Sequence, residues 1–305
     1  MFEIVSIFKI RKSIFRNNKL NPLTKEDERI HFMLTPLKKF ATEIRIAQLE
    51  EFKARGFGHI GGALSITDCL AALYGGIMNI DPKNPSWEER DRLVMSKGHA
   101  GPALYATLAL KGYFPVEMLK TLNQNGTHLP SHCDKNLTPG IDMTTGSLGQ
   151  GASTAAGIAL AQKLNGMNAR TYLILGDGES QEGQVWEMAL FAAQHKLGNF
   201  IAFLDYNKRQ LDGYTKDVCD IEDPAEKFRS FNWYTLRIDG SDPDKITEAI
   251  KDCQANQGDR PAMIVLDTVK GAGIKAIEDT VLNHHLNVKA EDADAYIAEL
   301  QKSLE

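Results

Sequence analysis

The sequence predicts an α/β fold in which a parallel sheet is covered by helices on both faces, and three observations point to it. Residues 171–175 (TYLIL) and 201–204 are short β-branched and apolar runs, the composition of buried strands. Two further runs, 234–238 and 262–268, repeat the pattern, with a helical segment between them. Strands alternating with helices imply parallel pairing through crossovers, with both sheet faces covered. No internal repeat or low-complexity linker divides residues 35–305, so one domain is expected there, preceded by an extension over residues 1–34.

At 305 residues and 43% hydrophobic content the chain can bury a full core, so size excludes no enzyme. A net charge of -5 and a pI near 5.9 argue against a nucleic-acid binder, which would display a basic stripe. Cys69, Cys133, Cys219 and Cys253 are scattered with no Cys-x-x-Cys pair, which suggests neither a zinc site nor a disulfide framework and fits a reducing cytoplasm. No run of about 18 apolar residues occurs, so no membrane span is expected. Residues 1–20 mix large apolar side chains with Lys9, Arg11, Lys12, Arg16 and Lys19; Glu3 and these bases spoil a secretory signal. An amphipathic surface helix, a mobile or partner-packed extension, and residues upstream of the true start all remain open for this stretch.

In chain order, Thr35 reads as an N-cap with Pro36 at the first helical position and Gly56 as the stop. Leu37, Phe40, Ile44, Ala47 and Phe52 form a mostly apolar stripe between them. Residues 56–62 are glycine-rich and expected to be an irregular loop carrying His59, and Ser65-Ile66-Thr67-Asp68 resembles a capping box opening a helix over 71–78. A short strand is expected at 92–95, then the turn Ser96-Lys97-Gly98-His99-Ala100-Gly101-Pro102 and a helix over 103–111. The turn at 128–133 contains His132. Thr144 to Gly151 is a run of small residues that opens an alanine-rich helix over 152–164. Helices are expected over 185–195, 224–228, 243–257 and 291–304, and a loop from Asn207 to Asp223.

The chemistry gathers around Gly176-Asp177-Gly178-Glu179-Ser180-Gln181-Glu182-Gly183 and Asn207. Asp177 and Asn207 each stand at or beyond the carboxyl end of a strand, the edge where open parallel sheets bind ligands. A carboxylate and an amide oxygen beside a glycine turn suit a hard cation, and magnesium is commonly held by one or two protein oxygens while substrate phosphates complete its shell. Gly-Asp-Gly alone would equally suit an ordinary turn. Lys97 and His99 lie on another strand-to-helix turn, in position to aim donors at an anion held by the helix N-terminus. Gly146 to Leu148 would let backbone and one apolar side chain touch a flat ring.

With these residues laid out, the sequence resembles the N-terminal half of a transketolase over nearly all of residues 35–305. The resemblance rests on the His-x-Gly loop at His59, Ser-Lys-Gly-His-Ala at 96–100, a histidine before Pro-Gly at His132, Thr-Gly-x-Leu-Gly-Gln-Gly at 145–151, Gly-Asp-Gly with Gln-Glu-Gly at 176–183, Asn207, and Val-Lys-Gly at 269–271 with a later histidine. All occur in the family's order. The resemblance implies a thiamine diphosphate-binding fold of the diphosphate-holding (PP) type. In it Asp177, Asn207 and the backbone carbonyl of Arg209 would hold Mg2+, or another divalent cation such as Ca2+ or Mn2+, which in turn holds the diphosphate. Lys97, His99, Gly178, Glu179 and Lys270 would stand around that diphosphate, and Gly146, Ser147 and Leu148 against the cofactor rings. His59, His132 and His284 would meet substrate and intermediates. Glu182 matches the family's buried glutamate at the contact between paired subunits.

The implied reaction is transfer of a two-carbon ketol unit from a ketose phosphate to an aldose phosphate. In this family a glutamate from the following pyrimidine-binding domain activates the cofactor, and no such domain is present here. The expectation is therefore half of a split enzyme, with a second polypeptide supplying that glutamate and with self-association in a two-plus-two assembly. Ser147 stands where proline is common, and Asn283-His284-His285 replaces the more usual Trp-His-Gly; spacing from Lys270 favours His284 over His285. Alternatives are the cofactor-binding subunit of a 2-oxo acid dehydrogenase, a transketolase for an unusual branched or sulfonated sugar, and a non-catalytic protein that kept the fold. A Rossmann dehydrogenase is disfavoured because no Gly-x-Gly-x-x-Gly opens a first helix.

Overall fold

The computed structural model describes residues 34–305, and the expectations for the N-terminal extension lie outside them. Helix α1 (Pro36–Arg55) begins where Thr35 accepts a hydrogen bond from the Lys38 amide at 3.3 Å, and it ends at Gly56, whose φ of 85° only glycine adopts without strain. Its inner stripe, including Ile44, Leu49 and Phe52, is buried.

Five strands form the central sheet: β1 (Arg92–Met95), β2 (Thr171–Gly176), β3 (Phe200–Tyr206), β4 (Tyr234–Asp239) and β5 (Ala262–Asp267). They run in the order β1-β2-β3-β5-β4, and every pair is parallel. β2 is buried along its whole length, and β3 and β5 all but their last residue, as expected for strands covered on both sides.

Alternate side chains feed two cores. Met95, Ile174, Phe203 and Ile264 pack with α1, α2 (Gly101–Leu110), α5 (Pro243–Asn256) and α6 (Ala290–Lys302). Val94, Leu173, Leu175, Leu204 and Val265 pack on the other face with α3 (Gln150–Leu164) and α4 (Gly183–Gln194). The alanines of α3, Ala152, Ala155, Ala156 and Ala159, are buried against this second face, so their small size lets the helix backbone approach the sheet.

Three expectations need correction. The segment 56–62 is not an irregular loop: Phe57–Gly58 pairs antiparallel with Leu286–Asn287, and Ile60–Ser65 is helical. Its glycines are there for close approach. A Cβ on Gly61 would lie 2.4 Å from the Asn283 carbonyl oxygen, which already accepts the Gly61 amide, and a Cβ on Gly62 would lie 3.1 Å from the His99 ring. Ser65 does not cap a helix either; its hydroxyl donates to Asp205 at 2.6 Å, and the chain continues through the short helix Thr67–Ala72 into a π-turn at Leu73–Ile77. Finally, the stretch from Asn207 to Asp223 contains a two-strand ribbon, Arg209–Gln210 with Gly213–Tyr214, and a helical turn Thr215–Val218.

Phe203 sits at the middle of β3 with no exposed surface, its ring stacked on Tyr172. Phe203→Ala should lower unfolding free energy by about 3–5 kcal/mol in urea titrations. A loss below about 1 kcal/mol would show that the first core is not centred there.

Candidate active site

Parallel pairing puts the carboxyl ends of β1, β2, β3 and β5 on one edge, and they open into a single cavity of about 330 Å3. Of the residues singled out in the sequence, His59, Lys97, His99, His132, Gly146, Leu148, Asp177, Gly178, Glu179, Glu182, Asn207, Arg209, Lys270 and His284 line it. Ser147 is exposed and stands outside the lining.

On the β2–β3 side, three oxygen-bearing groups come together. The Asp177 carboxylate accepts from the Gly178 amide at 2.8 Å and from the Lys208 amide at 2.5 Å. Asn207 Oδ1 accepts from the Arg209 amide at 3.1 Å while its Nδ2 donates to Asp205 at 2.8 Å. The Arg209 carbonyl accepts from Lys270 Nζ at 3.0 Å. Burial, with the Asp205 charge nearby, pushes the Asp177 carboxyl up to about 7, against the pull of its two amide partners and Lys270. Such a carboxylate favours an added cation, because a positive ion would restore its charged form. Among the described residues no group of three or more His, Cys, Asp and Glu side chains is arranged to hold a metal ion. A cation here would be bound by one carboxylate, one amide oxygen and one backbone carbonyl, oxygen donors that suit magnesium.

In the same cavity, four imidazoles lie close together. The His59 ring centroid is 5.3 Å from those of His132 and His284 and 5.7 Å from that of His99, and His99 and His284 are 4.7 Å apart. Burial, helped by neighbouring His132, His285 and Lys270, lowers His59 to about 4; burial and Lys270 lower His284 to about 3. His99 and His132 are also lowered, burial being the main cause. All four are therefore neutral near pH 7 and able both to donate and to accept hydrogen bonds. Burial lowers Lys270 to about 8, and its ammonium lies 3.1 Å from His284 Nδ1. His284 lines the cavity, whereas the exposed His285 stands outside the lining, its ring 5.5 Å from Phe57 and 5.0 Å from His59.

Two residues expected at the diphosphate have other partners. Lys97, almost fully buried, donates to Asp205 at 2.5 Å and to the Gly62 carbonyl at 2.7 Å. Glu179 accepts from Ser96, from the Gly149 amide at 2.9 Å and from the Gly176 amide at 3.0 Å, so its oxygens brace the turns that form the cavity wall. Sequence reasoning missed Asp205. Burial alone would raise its carboxyl, but Lys97 and the hydroxyls of Ser65 and Thr268 outweigh that and hold it below the ordinary range. The available signal was a carboxylate closing an apolar strand, two residues before Asn207.

A profile of the family described as "Transketolase, thiamine diphosphate binding domain" matches residues 37–302. The chain belongs to the transketolase family. Among curated transketolase relatives, it is 53% identical to the 6-deoxy-6-sulfo-D-fructose transketolase subunit SqwG of Clostridium sp. (strain MSTE9), over 87% of this chain and 96% of that protein. It is 38% identical to one subunit of the apulose-4-phosphate transketolase of Actinobacillus succinogenes, over 80% of this chain and 88% of that one. Of solved transketolases, a Pichia stipitis mutant in complex with fructose 6-phosphate superposes with a TM-score of 0.79 at 31% identity, covering 88% of this chain and 45% of that one. The Campylobacter jejuni enzyme gives 0.78 at 27% identity, covering 89% and 46%. The chain thus corresponds to a little under half of those solved transketolases. It is part of a transketolase, an enzyme that uses thiamine diphosphate, and family membership sets aside the 2-oxo acid dehydrogenase reading.

Because the cavity disfavours the charged imidazole, NMR titration of the cation-free chain should find His59 and His284 neutral down to about pH 5. Either ring titrating near its ordinary 6.5 would contradict the geometry described here.

Proposed function

We propose that this chain is the diphosphate-holding half of a two-chain transketolase, with Asp177, Asn207 and the Arg209 carbonyl binding a divalent cation that secures the cofactor's diphosphate. The observation that carries the reading is the convergence of these oxygens with four neutral histidines in one cavity. When bound, thiamine diphosphate supplies a carbon nucleophile and an electron sink, chemistry no side chain provides. Lys270 faces the same region as the cation and would add positive charge beside the diphosphate. Gly146 and Leu148 would flank the cofactor's rings; a Cβ on Gly146 would lie 3.1 Å from His132, so glycine keeps this wall thin.

His59, His132 and His284 would orient the sugar and carry protons between its hydroxyl and carbonyl oxygens. A neutral imidazole serves in either direction, and its location in a buried pocket keeps stray water from the proton path. The activating glutamate and most of the sugar's far-end recognition would come from a second polypeptide carrying the pyrimidine-binding domain.

Glu182 is exposed in the cavity lining, as is Leu148, and α4, which it precedes, also exposes Leu190 and Phe191; these exposed groups support burial by another chain in a two-plus-two assembly. For the donor, 53% identity over nearly the whole of a sulfofructose transketolase subunit favours a ketose with a sulfonate at its far end, transferring a two-carbon unit to an aldose phosphate. Among the described residues no helix is long and apolar enough to cross a membrane.

Steady-state assays of the chain with and without its partner subunit test this. The pair should move a two-carbon unit from 6-deoxy-6-sulfofructose with kcat/KM at least about tenfold above that for fructose 6-phosphate, and the isolated chain should be inactive. Turnover by the chain alone would refute the division of labour. Equal use of both donors would refute the sulfonate assignment.

A further inference from the structure

Asp205 closes β3 with no exposed surface, between Gly176 of β2 and Leu266 of β5. Four donors from four separate parts of the chain meet on its carboxylate. Oδ2 accepts from Lys97 Nζ at 2.5 Å, Ser65 Oγ at 2.6 Å and Asn207 Nδ2 at 2.8 Å, and Oδ1 accepts from the Thr268 hydroxyl. An ionised carboxylate can only accept, so the end of the Asn207 amide that faces it has to be the NH2 group. The amide oxygen is thereby turned to the opposite side, where the Arg209 amide meets it at 3.1 Å and where Asp177 and the Arg209 carbonyl stand.

We propose that Asp205 is a positioning residue that fixes the place and the sense of the Asn207 amide, so that oxygen rather than nitrogen is offered to the cation. Lys97 is its counter-ion: a fully buried carboxylate would lose this role if it took up a proton or swung away, and an ammonium at 2.5 Å prevents both. This assigns Lys97 to the support of the cation site instead of to contact with the diphosphate. Removing such a supporting contact typically weakens metal binding about 10–100-fold without touching a ligand.

The inference rests on the cation reading above, and the test separates the two. Mn2+ binding to the chain with its partner subunit, in the presence of thiamine diphosphate, is measured by electron paramagnetic resonance. Asp205→Ala should weaken Mn2+ binding at least about tenfold. Because that change strands a buried ammonium, a second variant, Asp205→Leu with Lys97→Met, removes both charges and should fold while showing the same loss. Ile250→Val, a core change in α5, should lower the melting temperature and leave Mn2+ affinity unchanged. A folded Asp205 variant that binds Mn2+ as tightly as the wild type overturns the proposal and leaves the cation reading intact. No cofactor-dependent Mn2+ uptake by the wild-type pair overturns both.

Discussion

The parallel register of β2, β3 and β5 is the constraint on which the site depends. Gly176 pairs with Asp205 and Asp205 with Leu266, so the three strands stop level with one another. Whatever follows each strand then emerges at the same height: Asp177 after β2, Asn207 after β3, and Thr268 to Lys270 after β5. Sliding one strand by a single residue would swap the side chains it gives to the two cores and displace its contribution to the cavity. The two hydrophobic cores therefore do more than stabilise the sheet; they set the register, and the register places the chemistry.

Charge within this edge is arranged in layers. The inner layer, Lys97 with Asp205, is closed on itself and shielded from solvent. Removing one member would strand the other at a cost of about 3–5 kcal/mol, which makes the pair a rigid support rather than a source of net stability. In the outer layer Asp177 is held up to about 7 and Lys270 down to about 8, each displaced toward its neutral form mainly by burial. A divalent cation with a diphosphate would give the carboxylate a positive neighbour and the ammonium a negative one. The histidines, kept neutral by the same burial, would then serve the proton movement proposed for them.

Much of this was legible in the sequence because the signals are local. Apolar runs ending in Gly-Asp-Gly or Ser-Lys-Gly-His define a strand and its turn within about ten residues, and the strand limits at 92–95, 171–176 and 262–267 lie within one residue of those expected. The glycines at 61 and 62 misled, because their requirement comes from Asn283 and His99, far away in the chain, and not from a local bend. The partner of Lys97, Asp205, is 108 residues distant, and only the strand register brings the two together. The spacing from Lys270 favours His284 over His285, and His284 is the one that lines the cavity, 3.1 Å from the Lys270 ammonium.

The central claim is that Asp177, Asn207 and Arg209 present oxygens to a single divalent ion. Anomalous diffraction from crystals of the two-chain enzyme grown with Mn2+ and thiamine diphosphate tests it most directly. The account predicts one strong peak about 2.1–2.3 Å from a carboxylate oxygen of Asp177, Oδ1 of Asn207 and the carbonyl of Arg209, with diphosphate oxygens filling the remaining positions. A fully occupied cofactor with no peak there, or with the ion bound away from these three groups, would contradict it.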